Sequence, residues 1–81
     1  NGKKEGYWET YWENGQLFKK GDYKNGEKEG SWQLYWENGQ LFKKGNYKNG
    51  WKEGYWEDYN QDGTVFDLYT GTYKKGKKVS D

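Results

Sequence analysis

The chain of 81 residues contains no cysteine, histidine, arginine or methionine, and alanine and isoleucine are missing too. Without cysteine there is neither a disulfide framework nor a thiolate metal site, and the redox compartment stays open. Without histidine, and with serine only at Ser31 and Ser80, a hydroxyl nucleophile has no base partner. Carboxylates remain, but Glu9 and Glu57 fall four strands apart in the register the repeat implies, roughly 19 Å. Paired-carboxylate glycoside hydrolysis needs only ~5–9.5 Å. No catalytic residue, metal ligand or cofactor is therefore assigned, and the chain is not expected to be an enzyme.

All fourteen basic residues are lysine and the net charge is +1. Nucleic-acid readers favour arginine for bidentate contacts, so no nucleic-acid partner is expected. The one dense basic run, Lys74-Lys75-Gly76-Lys77-Lys78, reads as a solvated tail. No apolar run approaches the ~18 residues of a membrane span, so no transmembrane segment is expected, and no signal peptide is visible. The chain opens at Asn1 inside a repeat, as a fragment or processed product would, and no localisation follows.

Aliphatic residues are few, with leucine and valine together numbering six, and 33% of the chain is charged. Those values drift toward disorder. Against them stands an aromatic content of 22%, with six Trp, nine Tyr and three Phe. Aromatics bury large areas apiece, so a few rows of them can replace a two-layer core. The expectation is an ordered but thin structure.

A 24-residue self-similarity organises these aromatics. Trp36-Glu37-Asn38-Gly39-Gln40-Leu41-Phe42-Lys43-Lys44-Gly45-Asn46-Tyr47-Lys48-Asn49-Gly50 recurs from Trp12 to Gly26 with Asp22 for Asn46, and a looser copy begins at Asn60. Period-2 alternation predicts first strands at 7–12, 31–36 and 55–60, and second strands at 17–24, 41–48 and 65–74. Turns are expected at Asn14-Gly15, Asn38-Gly39 and Asp62-Gly63, of the type I′ form with positive φ at both central residues. The Asn25–Gly30 and Asn49–Gly54 units read as linkers between hairpins. The fold class is all-β, a single-layer antiparallel meander of three stacked β-hairpins, hence six strands. The domain is one unit, 1–81, with repeats of approximately 1–24, 25–48 and 49–76 and a tail at 77–81.

Two-residue turns would pair Trp12 with Leu17, Tyr11 with Phe18, Glu9 with Lys20 and Trp8 with Gly21. Stacking without shear then sets Gly21 opposite Trp32 and Tyr23 opposite Gly30. One face carries the row Trp8, Gly21, Trp32, Gly45, Trp56, beside Gly6, Tyr23, Gly30, Tyr47, Gly54. Neighbouring strands lie about 4.8 Å apart, less than an indole's width, so each Trp is expected to lie over a glycine. Trp12 and Trp36 extend that face with Leu17 and Leu41. The other face carries an aromatic ladder, Tyr11, Phe18, Tyr35, Phe42, Tyr59, Phe66, and a row Glu9, Lys20, Gln33, Lys44, Glu57 of compatible charges.

The third repeat departs from the pattern. Two residues are inserted around 67–70, for which a longer strand or a bulge is expected, and Asn60 stands where Trp would. Asp58-Tyr59-Asn60-Gln61-Asp62-Gly63-Thr64-Val65 also matches the start of a calcium loop, although Tyr69 occupies the position of the bidentate Glu. The competing reading is simply the third hairpin turn. Asp58 and Asp67 would face each other, an unfavourable pair without an intervening cation.

Gly30-Ser31-Trp32-Gln33-Leu34-Tyr35-Trp36-Glu37-Asn38-Gly39-Gln40-Leu41, followed by Gly45-Asn46-Tyr47-Lys48-Asn49-Gly50, resembles a MORN (membrane occupation and recognition nexus) repeat. The closest variant is that of bacterial proteins labelled YwqK-type antitoxins. Cell-wall- and choline-binding repeats also mix Gly, Trp and Tyr, with the aromatic pair placed differently. The MORN resemblance implies a binding role, toward protein or in some members lipid, with a toxin-like partner among the expectations. A single layer cannot bury both faces, so part of the aromatic surface must stay exposed and mark a binding site. The residues expected to bind a protein partner are Trp8, Trp12, Trp32, Trp36, Trp56, Tyr23 and Tyr47. Carbohydrate or cell-envelope binding by Trp stacking, and lipid-headgroup binding by the Lys tail, are the alternatives. Open edge strands, expected near 7–12 and 65–74, invite self-association.

Overall fold

The computed structural model describes residues 3–80. They form seven strands: β1 (Gly6–Tyr11), β2 (Leu17–Lys24), β3 (Glu27–Tyr35), β4 (Leu41–Lys48), β5 (Trp51–Asp58), β6 (Gly71–Lys74) and β7 (Lys77–Ser80). Each strand pairs antiparallel with the next in one open sheet. The slab measures 39 × 34 × 12 Å, a single layer with side chains on both faces. No helix among the described residues is long and apolar enough to cross a membrane. The meander expected from the repeat is present, with seven strands rather than six.

Two turn types alternate along it, and only one of them is the type I′ form. At Asn25-Gly26, Asn49-Gly50 and Lys75-Gly76 both central residues have positive φ, 53° and 83°, 53° and 83°, and 51° and 84°. These two-residue turns join β2 to β3, β4 to β5 and β6 to β7, so the presumed linkers are tight hairpins and strand. The Asn14-Gly15 site is different, because there only the glycine has positive φ. Gly15 N donates to Trp12 O at 3.0 Å and Trp12 N to Gln16 O at 2.7 Å, closing a three-residue loop. Asn14 Oδ1 accepts from Gln16 N. The same bonds recur at 36–40 and at 60–64, where Asp62 replaces Asn and accepts from Thr64 N. Asp62 thus serves a turn, which is the hairpin reading of the calcium-like segment.

The extra loop residue is absorbed one step later. Trp8↔Gly21 and Glu9↔Lys20 pair as expected, but Tyr11 pairs with Leu17 and Phe18 is bulged. Beyond the bulge the alternation slips by one, which sets the Phe18 ring against Trp12 at 4.3 Å rather than across from Tyr11. Phe42 does the same with Trp36 at 4.2 Å. The continuous Tyr/Phe ladder therefore does not form. A second irregularity separates Lys20↔Gln33 from Asp22↔Glu29, so Tyr23 meets Lys28 rather than Gly30 on that side.

Through that irregularity Trp32 crosses the neighbouring strand. A Cβ built on Gly21 would lie 2.2 Å from Trp32 Cδ2, and one on Gly45 2.2 Å from Trp56 Cδ2. The indole N–H groups donate to Asp22 O at 3.0 Å and Asn46 O at 2.9 Å. Trp32 and Trp56 are 1% and 0% exposed and, with Tyr73, make the core.

The third repeat keeps its later register, with Gly54↔Tyr73 and Trp56↔Gly71. Residues 66–70 leave the ladder instead of lengthening a strand, after one isolated bridge, Tyr59↔Val65. Thr70 Oγ1 stands in for the missing strand, accepting from Asp58 N at 2.9 Å and donating to Phe66 O at 2.9 Å. Asp58 pairs with Lys43 across β4 and β5, not with Asp67. Lys77–Ser80, expected as a tail, is β7 and forms the C-terminal edge in place of 65–74; residue 81 lies outside the described residues.

Two outcomes follow. Gly45→Ala should destabilise by about 3 kcal/mol, because its Cβ has backbone on one side and an immobile indole on the other. Lys75→Asn should stabilise by about 1 kcal/mol, since lysine tolerates positive φ poorly. Urea unfolding of both variants checks them, and a neutral Gly45→Ala would contradict the close contact.

Candidate functional site

The seven residues expected to bind a partner fall into three environments. Trp8, Tyr23, Trp32, Tyr47 and Trp56 come together in one edge-to-face file, with ring centroids 6.3, 5.1, 6.0 and 5.0 Å apart. Trp8 alone among them is exposed; Tyr23 and Tyr47 are half-buried, and Trp32 and Trp56 are covered. Trp12 and Trp36 are half-buried in separate pairs with Phe18 and Phe42. Their N–H groups are spent on Tyr35 O and Tyr59 O, each at 3.1 Å.

Lysines cover the file. Lys4 Nζ lies 5.1 Å from Trp8 and 5.0 Å from Tyr23. Lys28 stands 5.2 Å from Trp32 and 5.0 Å from Tyr47, and Lys52 is 5.0 Å from Trp56 and 4.7 Å from Tyr73. The ammonium is held by the ring quadrupole while the stem excludes water. Desolvation, then neighbouring lysines, pulls the Lys28 and Lys52 amino groups below the ordinary lysine value. Each of these lysines precedes a glutamate that holds the next tight turn. Glu5 accepts from Asn25 N, Glu29 from Asn49 N at 3.0 Å and Glu53 from Lys75 N at 3.3 Å.

The opposite face is open. Tyr7, Tyr11 and Tyr55 are 58%, 56% and 53% exposed. Their hydroxyls are partly pre-ordered, because Tyr7 and Tyr11 donate to Glu9 at 2.8 and 2.5 Å, Tyr35 to Gln33 at 3.0 Å and Tyr59 to Glu57 at 2.5 Å. Ser31 sits between Tyr7 and Tyr55 at the same repeat position. Two shallow depressions flank it, about 280 Å³ toward Tyr7 and Lys20 and about 220 Å³ toward Tyr55 and Lys44. Sequence reasoning passed over Tyr7 and Tyr55, although the small residue Ser31 between two tyrosines at 24-residue spacing was available as a signal.

A deeper cleft of about 370 Å³ lies where the third repeat departs from the other two. Trp36, Phe42, Tyr59, Phe66 and Tyr69 wall it, with Lys43, Asp58 and Asn60 as its polar members. No group of three or more His, Cys, Asp or Glu among the described residues could hold a metal ion.

The sequence pattern of the family described as MORN repeat variant matches residues 4–25 and 28–49, together more than half of the chain. Neither the comparison with curated proteins nor that with solved structures gave a match.

The hydrogen bonds to Glu9 and Glu57 push the Tyr7 and Tyr59 hydroxyls up to about 12 from 10.0. The Tyr11 and Tyr7 hydroxyls in turn hold Glu9 below the ordinary carboxylate range. A tyrosine whose folded value is raised stabilises the fold below its unfolded value, and that stabilisation is lost as pH rises through about 12. Absorbance titration should show late-ionising tyrosines, and Glu9→Gln should bring the Tyr7 midpoint back toward 10.0. An unchanged profile would count against the Tyr7–Glu9 bond.

Proposed function

Since this chain belongs to the MORN repeat variant family, a repeat module of the kind often used in binding, we propose that it is a non-catalytic protein-binding module that docks through its tyrosine-bearing face. The observation that carries this reading is the division of aromatics between the faces. The indoles of Trp32 and Trp56 are covered, while Tyr7, Tyr11 and Tyr55 stand clear of the sheet. Tyrosine supplies large, stiff contact area at low entropic cost and is enriched at interface hot spots. The carboxylate, amide and ammonium groups of Glu9, Gln33, Lys20 and Lys44 run beside it, as a polar rim should.

The depressions on either side of Ser31 give such a partner somewhere to insert side chains. Trp8, at the edge of the other face, is the one member of the tryptophan file left able to contribute. The antitoxin-like role implied by the sequence resemblance is one form this reading takes, with a toxin-like protein as the docked partner. Edge pairing through β1 or β7, the outermost strands of the sheet, is a second route to association.

A photo-crosslinking residue at position 31 should capture a protein partner from the source cell, and the purified pair then gives an affinity. Tyr55→Ala should weaken that affinity at least tenfold, as loss of a central aromatic does. Ser31→Tyr should weaken it by filling both depressions, and Lys28→Ala should leave it unchanged apart from any loss of fold stability. Undiminished binding in both tyrosine-face variants, with loss in Trp8→Ala, would move the site to the other face.

A further inference from the structure

The cleft beside the third repeat carries a buried carboxyl group whose hydrogen bonding is incomplete. Asp58 is 1% exposed and lines the cleft. Its Oδ2 lies 3.7 Å from Lys43 Nζ, an ion pair too long for a hydrogen bond, and its Oδ1 is buried with no hydrogen-bond partner. Leaving such an oxygen unmatched carries the desolvation penalty of a buried acceptor with nothing in return. The 24-residue offset places Asp58 where Leu34 stands in the second repeat, an apolar residue that would need no partner. It likewise places Asn60 where Trp12 and Trp36 stand, so the indole that would occupy this end of the sheet is replaced by a smaller side chain. The inserted segment then adds Tyr69, in ring contact at 5.6 Å with Phe66, the counterpart of Phe42, as a new wall.

We propose that this cleft binds a neutral polyhydroxylated ring, a pyranose unit of an oligosaccharide, with one of its hydroxyls donating to Asp58 Oδ1. Three features of the cleft select that chemistry. The formal charges of Asp58 and Lys43, the two charged groups of the lining, cancel, so the cleft has no net charge with which to favour a cation or an anion. Asp58 Oδ1 needs a donor, and a ligand hydroxyl supplies one. The remaining lining is aromatic. Ring faces of Trp, Tyr and Phe carry negative potential and attract the weakly positive C–H face of a sugar. A volume of about 370 Å³ falls within the range of small-ligand sites.

This site is separate from the depressions around Ser31, so it stands or falls independently of the protein-docking reading. Tryptophan fluorescence and saturation-transfer NMR would be followed while the protein is titrated with cellobiose, chitobiose and maltose. Butylammonium chloride and sodium benzoate serve as charged apolar probes. At least one disaccharide should saturate, and Asp58→Leu, which installs the residue of the second repeat, should weaken it at least tenfold while the thermal midpoint is held or raised. Asn60→Trp, which refills the cleft, should abolish binding without touching Asp58, and it keeps the test decisive should Asp58→Leu fold poorly. Saturation by butylammonium or benzoate but by no disaccharide overturns the proposal. So does disaccharide binding that persists in both variants, and so does the absence of binding by any sugar probe.

Discussion

Each buried indole in this sheet lies across a neighbouring strand at a point where that strand has no side chain. The contact between Trp32 and Gly21, repeated by Trp56 on Gly45, leaves 2.2 Å between indole and an added Cβ, which no other residue can accommodate. Much else depends on it. The ring must reach the far side of the strand to donate to a main-chain carbonyl, at Asp22 or Asn46, and the pairing register yields there. Tyr23 and Tyr47 then fit edge-on between successive indoles, and lysine stems close the file from water. A sheet of one layer thereby obtains a dry core only one side chain deep, with almost no aliphatic residues.

How much of this could be read from the residues depends on whether neighbours are complementary. Large-beside-none is an unambiguous signal, so the Trp8–Gly21 register and the meander were legible. Asn-Gly was not, because the same dipeptide serves two turns. At Asn25-Gly26 both residues take positive φ, whereas at Asn14-Gly15 only the glycine does. The second form adds a loop residue, and a strict period of two then assigns Phe18 and Phe42 to the wrong neighbours. The bulge that corrects this follows from backbone hydrogen bonding, which alternation of side chains does not encode.

Exposure was the least legible property. A lysine counts as polar in any hydropathy reading, yet its four-carbon stem is apolar. Lys28 and Lys52 use that stem to cover Trp32 and Trp56, which moves the open aromatic surface to the tyrosine side. The third repeat hid its cleft for a related reason. Asn60 and Asp58 look like ordinary drift in a terminal copy, and only in three dimensions does the loss of an indole coincide with a carboxyl group that lacks a donor.

The direction of the bonds between repeats has a further consequence. At one end of the sheet Gly26, Gly50 and Gly76 donate backward, to the carbonyls of Lys4, Lys28 and Lys52. At the other end Asn14 and Asn38 donate forward, to the carbonyls of Glu37 and Gln61. Neighbouring repeats are thus laced at both margins by bonds of opposite sense, and each indole of the core rests on a strand of the preceding repeat. Cohesion therefore resides in the junctions, as in a one-dimensional chain of coupled units. An isolated repeat has a junction with nothing and keeps little of the stabilisation, while the second adds the first full set of contacts and each later copy adds one more. Such an array melts from its ends, and its length sets its stability more directly than the composition of any one copy.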